Sequence, residues 1–450
     1  MSLPGSVGPD EIRMRSERVL ARPRRPVERT FDVFRFEELG LQWDLGVAIY
    51  EPIEESHRAR FADGRRIGLF LLHGGSGDFK DVEELSLLYA ERFGYRVVAG
   101  TFPGRFAFED PDAGWPGDTI RADGSVRTPE WLRGEVIGRD EYTVVEDDSL
   151  RDRYGVRTLA RALPGSRFYD RMASWPAAFE TGMIEACRRH LPASDFAAFG
   201  EGHSTGGPFI FMLSQRVPNM VGVLAAEHSP FGEICAARDM WAGPVGKITG
   251  FDRLEAGGAR RSDRFDELYI RTWRDLARYA GPEALGRDGP QALMRLPRLI
   301  EDVFAAWERE RSHAQFKAEY IVTHGVLESL EAAAQAVSQR LGFEPGDAEA
   351  LRRRYLGFTD ALRGPEVPPV PPIVFAIAKN SRDHSPEVYA EVILPAFSAL
   401  DPAPRTHLVA FGLGGHSFWR EGDGLPLGIA PAVVEVLDQA IEAGYFLTNA

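Results

Sequence analysis

The chain has 450 residues, 44% of them hydrophobic and 27% charged, with a net charge of -14; that length supports a sizeable core, and the composition is that of a globular protein. The acidic balance argues against a nucleic-acid partner, whose phosphates select a basic surface. Two cysteines, Cys187 and Cys235, are too few for a disulfide framework, and no apolar run reaches the roughly 18 residues of a membrane span, so a soluble, cytoplasmic protein is expected.

The first thirty residues hold seven arginines interrupted by Asp10, Glu11, Glu17 and Glu28, with no apolar stretch behind them. This reads as a solvated N-terminal arm, residues 1–30, and not as a targeting peptide. Phe31 to Phe36 and Leu41 to Tyr50 alternate as a strand pair. Arg66 to Leu72 is a short continuous apolar run, which suits a parallel strand buried on both faces, and it ends in His73-Gly-Gly-Ser-Gly77. A helix over Val82 to Phe93, stopped by Gly94, precedes a strand at Tyr95 to Ala99.

Residues 104–170 are rich in Gly, Asp and Pro, an irregular excursion with a hairpin around Ala122-Asp-Gly124. From Ser174 the spacing predicts a helix with Pro176 in its first turn and Phe179, Met183, Cys187 and Leu191 on one face. Strand Phe196 to Gly200, a helix from Pro208 to Leu213 and strand Val221 to Ala226 follow. Residues 235–365 break this rhythm with about four amphipathic helices. After the tether Pro365 to Pro372 the sheet resumes at Ile373 to Ala378, followed by a helix over Pro386 to Leu400, a strand at His407 to Phe411 and a terminal helix over Pro431 to Ala443. Strands alternating with helices mean a mostly parallel α/β sheet. The sheet domain spans residues 31–234 and 366–450, and the helical block 235–365 is inserted into it as a cap.

Between the strand at Phe196 and the helix at Pro208 lies Gly202-His203-Ser204-Thr205-Gly206, a G-x-S-x-G pattern in the strand-to-helix context of a nucleophile elbow. A serine hydroxyl is a poor nucleophile at neutral pH and needs a general base, itself oriented by a third group. His416, in the glycine-rich turn after the last strand, is the candidate base. Asp383, shortly after the strand Ile373 to Ala378, is the first choice of orienting acid, and Glu227, directly after the strand Val221 to Ala226, is its rival. The developing oxyanion needs preorganised donors, and the backbone amides of Thr205 and Gly75 stand where these are wanted. His203, His73 and His407 read as packing or bracing residues.

With these pieces in order, the chain resembles the α/β-hydrolase superfamily. The carriers are the His-Gly-Gly loop after an early strand, Gly-His-Ser-Thr-Gly at the elbow, and the chain order Ser204, Asp383, His416. The loop at His73 is similar to that of the prolyl iminopeptidase branch, but Ser76 stands where that branch has proline, so peptide specificity is not carried over. The resemblance implies a serine hydrolase needing no cofactor and no metal. The expected reaction is cleavage of a carboxylic ester of a bulky, partly hydrophobic small molecule lodged under the cap. An amidase or peptidase, a thioesterase, a carbon-carbon bond hydrolase or an acyltransferase would use the same triad, and a non-catalytic ligand-binding protein would use the same fold. The excursion and cap also offer surface for a homo-oligomer; no membrane partner is expected.

Overall fold

The computed structural model describes residues 3–38, 41–73, 79–101, 138–146, 158–162, 167–203, 206–214, 216–227, 370–378 and 403–447, with five isolated positions between 386 and 398. The cap 235–365, the hairpin around Ala122-Asp-Gly124 and most of the helix expected over Pro386 to Leu400 lie outside the described residues.

Nine strands form the main sheet among the described residues: β1 (Ser6–Val7), β2 (Val27–Glu38), β3 (Leu41–Pro52), β4 (Arg66–Leu72), β5 (Arg96–Gly100), β8 (Phe196–Gly202), β9 (Met220–Ala226), β10 (Ile373–Ala378) and β11 (Thr406–Phe411). Their spatial order is β1-β11-β10-β9-β8-β4-β5-β3-β2. From β1 to β5 every neighbouring pair is parallel; β3 is antiparallel to both β5 and β2. The central strands are mainly apolar on both faces, with Ala and Gly among the Val, Ile, Leu and Phe, because helices cover both sides. Within the excursion, β6 (Tyr142–Glu146) and β7 (Thr158–Ala162) make a separate antiparallel pair.

On one face, Leu69, Leu71 and Val97 pack with α1 (Pro9–Ala21), α2 (Glu83–Phe93) and α5 (Ala430–Glu442) in a single apolar cluster. The other face is covered by α3 (Arg167–His190) and α4 (Gly206–Ser214), whose Met183, Cys187, Ile210 and Leu213 are fully buried. Helix α3 begins seven residues before the expected start at Ser174, so Pro176 falls within the helix. Gly94 caps α2 in the left-handed region at φ +75°, where a Cβ would lie 1.8 Å from the His57 carbonyl oxygen; only glycine fits.

The N-terminal segment is not a solvated arm. β1 adds to the sheet beside β11, and Val7, Ile12 and Val19 are buried. Arg15 and Arg18 converge on the Glu435 carboxylate of α5, which is 2% exposed, at 3.0 and 2.6 Å. The arginine-rich composition thus serves an ion-paired helix-helix contact closed over more than 400 residues of chain.

A buried polar layer runs beneath α2. The Tyr89 hydroxyl donates to Glu201 at 2.8 Å, and the Tyr95 hydroxyl donates to Asp438 at 2.8 Å. Desolvation pushes Glu201 up to about 8 and Asp438 up to about 6. Folded-state values above the unfolded ones mean stability that is complete below about pH 4 and lost as pH rises through the folded value. Between pH 6 and 8 Glu201 holds in the native state a proton that an unfolded carboxyl would have lost. We expect the stability of the wild type to fall across that range with a slope approaching about 1.4 kcal/mol per pH unit. Glu201→Gln should flatten it; equal slopes for both proteins in calorimetric melts at pH 6, 7 and 8 would refute the assignment.

Candidate active site

Strand β8 runs directly into α4 through the G-x-S-x-G segment. The His203 amide donates to the carbonyl of Leu72 at the end of β4 (2.9 Å), and the Gly206 amide donates to the His203 carbonyl (2.8 Å), so the chain reverses sharply there. A Cβ on Gly202 would lie 2.3 Å from the Gly206 carbonyl oxygen. A Cβ on Gly206 would lie 2.8 Å from the His73 carbonyl oxygen and 3.1 Å from that of Leu72. Both glycines of the motif are therefore demanded by backbone-to-backbone contact. Ser204 and Thr205 between them, and Gly75 in the loop after β4, lie outside the described residues. His73, which opens that loop, is fully buried.

His416 follows β11 in a turn shaped by Gly414, whose φ is +86° and whose amide donates to Asp423 at 3.0 Å. A side chain at Gly414 would strike Ile429 at 2.6 Å. The imidazole of His416 is 14% exposed, and its Nδ1 faces Glu227 Oε2 at 3.5 Å. That separation exceeds a normal hydrogen bond but is well within ion-pair range.

Glu227 directly follows β9 and is 1% exposed. Its φ is +49°, a left-handed conformation that a residue with a Cβ seldom adopts and that costs of order 1 kcal/mol or more. The strand β10 holds it there: the Glu227 amide donates to Ala376 O at 2.9 Å, and its Oε1 accepts the amide of Ala378. One carboxylate oxygen is thus fixed by a neighbouring strand and the other is turned toward the imidazole.

His203 joins the same cluster. Its Nε2 lies 2.9 Å from the His416 carbonyl oxygen and must be the protonated nitrogen, since a carbonyl only accepts. Its ring lies 4.5 Å from the His416 ring and 4.5 Å, edge-on, from Trp419. Of the sequence-derived residues, the structure brings together His416, Glu227 and His203; Asp383 lies outside the described residues. Trp419 was not singled out from sequence, although an aromatic three residues beyond a candidate histidine is a visible signal. His407 ties β11 to the N-terminal segment through Pro4 O at 3.0 Å.

No protein-family model and no curated protein matches the chain. Among solved structures it is similar to an acylaminoacyl peptidase of Pyrococcus horikoshii, at 10% identity and a TM-score of 0.38 over 92% of this chain; the chain spans 41% of that peptidase's length. It is also similar to an S-formylglutathione hydrolase from Agrobacterium tumefaciens (12% identity, TM-score 0.38, 92% of this chain and 95% of that one). A third is a soluble variant of monoglyceride lipase from Saccharomyces cerevisiae (11% identity, TM-score 0.36, 94% and 97%). The sheet is mostly parallel with helices on both faces, the α/β architecture expected from the sequence. No helix among the described residues is long and apolar enough to cross a membrane.

The steric reading of the elbow is testable without any substrate. Gly202→Ala should lower stability by at least about 2 kcal/mol in denaturant unfolding, because backbone and not a flexible side chain must yield. Gly5→Ala, with nothing within 4 Å, is the control and should stay within about 0.5 kcal/mol. Equal losses in the two variants would refute the close approach.

Proposed function

We propose that the protein is a serine hydrolase that cleaves a carboxylic ester of a bulky, partly hydrophobic small molecule, with Ser204 as nucleophile, His416 as general base and Glu227 as the orienting acid. The observation that supports this reading best is the Glu227-His416 pair, held at the carboxyl edge of the sheet close to the G-x-S-x-G reversal.

In this scheme His416 Nε2 accepts the Ser204 hydroxyl proton as Oγ attacks the ester carbonyl. The Nδ1 proton points to Glu227, whose charge stabilises the imidazolium as it forms. A separation of 3.5 Å in the resting site is expected to shorten once the ring carries its charge. The amides of Gly75 and Thr205 receive the oxyanion. Collapse of the tetrahedral intermediate breaks the ester bond, and the alcohol leaves with the proton from His416. Water, deprotonated by the same imidazole, attacks the acyl-enzyme; the acid is released and Ser204 regains its proton.

Glu227 is preferred to Asp383 on two grounds. It is paired with His416, and it is held in a strained conformation whose maintenance needs an explanation. A fluorophosphonate should label Ser204, and Ser204→Ala should abolish the labelling. Glu227→Gln should slow labelling by about a hundredfold or more, and Asp383→Asn by less than about threefold. The reverse ranking, read by peptide mapping and labelling rates, would return the acid to Asp383; labelling at another serine would refute the scheme. An ester panel run with and without alcohol acceptors separates hydrolysis from acyl transfer.

We assign His203 as a positioning residue, since its bond to the His416 carbonyl anchors the turn that carries the base. His203→Phe keeps the ring contacts and removes the bond. It should lower kcat by about tenfold with KM nearly unchanged, and His203→Gln, which restores a donor, should recover most of the loss. A fall in KM-dependent binding alone, or no rescue by glutamine, would make His203 a packing residue only.

A further inference from the structure

At the opposite edge of the sheet, where β4, β5 and β8 begin, lies an open cleft of about 610 Å³, within the size range of small-molecule sites. Arg66 and Arg96 open β4 and β5, Arg60 and Arg65 come from the preceding turn, and Arg189 comes from the last turn of α3. Asp63 and Asp195 are the carboxylates that line it. Five guanidinium groups against two carboxylates is a local reversal of sign in a chain whose net charge is -14.

The carboxylate behind the cleft does not cancel that excess. Glu51, near the end of β3, is shared by three guanidinium groups: Arg58 at 3.2 Å, Arg96 at 2.6 Å, and Arg66. Asp63 is already taken by Arg65, Glu55 by both Arg58 and Arg60, and Glu185 by both Arg188 and Arg189, so guanidinium groups still outnumber carboxylates around the cleft. His190 adds no positive charge: burial pushes its pKa down, and it faces Asp32 at 3.0 Å.

Arg66 and Arg96 are also held in place. Both guanidinium groups sit over the Phe196 ring, at 4.8 and 5.5 Å from its centre, which fixes their planes. Their side chains are 18% and 22% exposed, and the Nε atom of each is buried without a hydrogen-bond partner among the described residues. Two like charges brought together, braced by one aromatic ring and sharing the single carboxylate of Glu51, form an arrangement that a further anion stabilises. Planar guanidinium forks match phosphate oxygens in pairs.

We propose that this cleft binds a small polyanion carrying two or more phosphoryl groups, at a site separate from the Ser204 region and independent of the catalytic reading. Inorganic tripolyphosphate is the probe, titrated calorimetrically into the full-length protein at constant ionic strength near 0.15 M, with orthophosphate and citrate as comparison arms. One site is expected, with tripolyphosphate binding at least about tenfold more tightly than orthophosphate and more tightly than citrate. Arg60 and Arg189 lie toward the rim, so the double variant Arg60→Gln/Arg189→Gln should fold normally by circular dichroism and bind about tenfold more weakly. Arg96→Lys keeps the charge beside Glu51 but loses the fork, and should weaken binding as well. No heat above the salt control, affinity unchanged in both variants, or citrate binding as tightly as tripolyphosphate would each overturn the proposal.

Discussion

The backbone of Gly206 lies against the end of β4, and the placement of the elbow depends on that contact. A strand at the centre of a parallel sheet must turn into a helix that packs back on the same sheet, and the turn has no room for a Cβ at either flank. Once Gly202 and Gly206 allow the approach, the His203 amide extends the ladder to Leu72 and its side chain is directed toward the turn after β11. The motif is therefore less a signature of a reaction than a steric solution that brings three strand ends within reach of one another. The reaction depends on what those ends carry.

The segments that follow β9 and β11 carry Glu227 and His416. Neither is near the other in sequence, and the strand β10 between them supplies the amide and carbonyl that hold Glu227 in its left-handed conformation. Strain of this kind persists only where surrounding bonds over-determine it. Removing the side-chain contact to Ala378 would free the residue to relax toward ordinary strand geometry, and its carboxylate would turn away from the imidazole. The pairing is a property of three adjacent strands and not of two residues.

Much of this was legible in the sequence because it is local. Short apolar runs ending in glycine located β4 and β8, the Gly94 stop located the end of α2, and the order of strands and helices implied the parallel sheet. That Glu227 would face His416 was not legible, because side-chain direction at a strand end has no periodic signal. The N-terminal segment departs from its sequence expectation for a related reason. Its arginines look like a solvated surface until Glu435, far along the chain, supplies the buried carboxylate they meet. Charge composition counts ions but does not pair them.

That distinction also bears on how the molecule distributes its charge. At the N-terminal helix, Arg15 and Arg18 converge on one nearly buried carboxylate and Arg15 also meets Glu11, so two cations face two anions. At the amino edge of the sheet, Glu51 meets three guanidinium groups, and positive charge is left over beside an open cleft. Between the two edges, Glu201 is buried just before the elbow with a tyrosine hydroxyl and no cation, so desolvation keeps it protonated near neutral pH. An acidic protein that keeps a buried carboxyl neutral near its carboxyl edge, and gathers more arginines than carboxylates at the other, separates its charge by sheet polarity. The end where strands finish collects an imidazole and its carboxylate, and the end where they start collects guanidinium groups. In a parallel sheet those two ends cannot exchange roles without reversing every strand, so the two sites are kept apart by topology and not by distance alone.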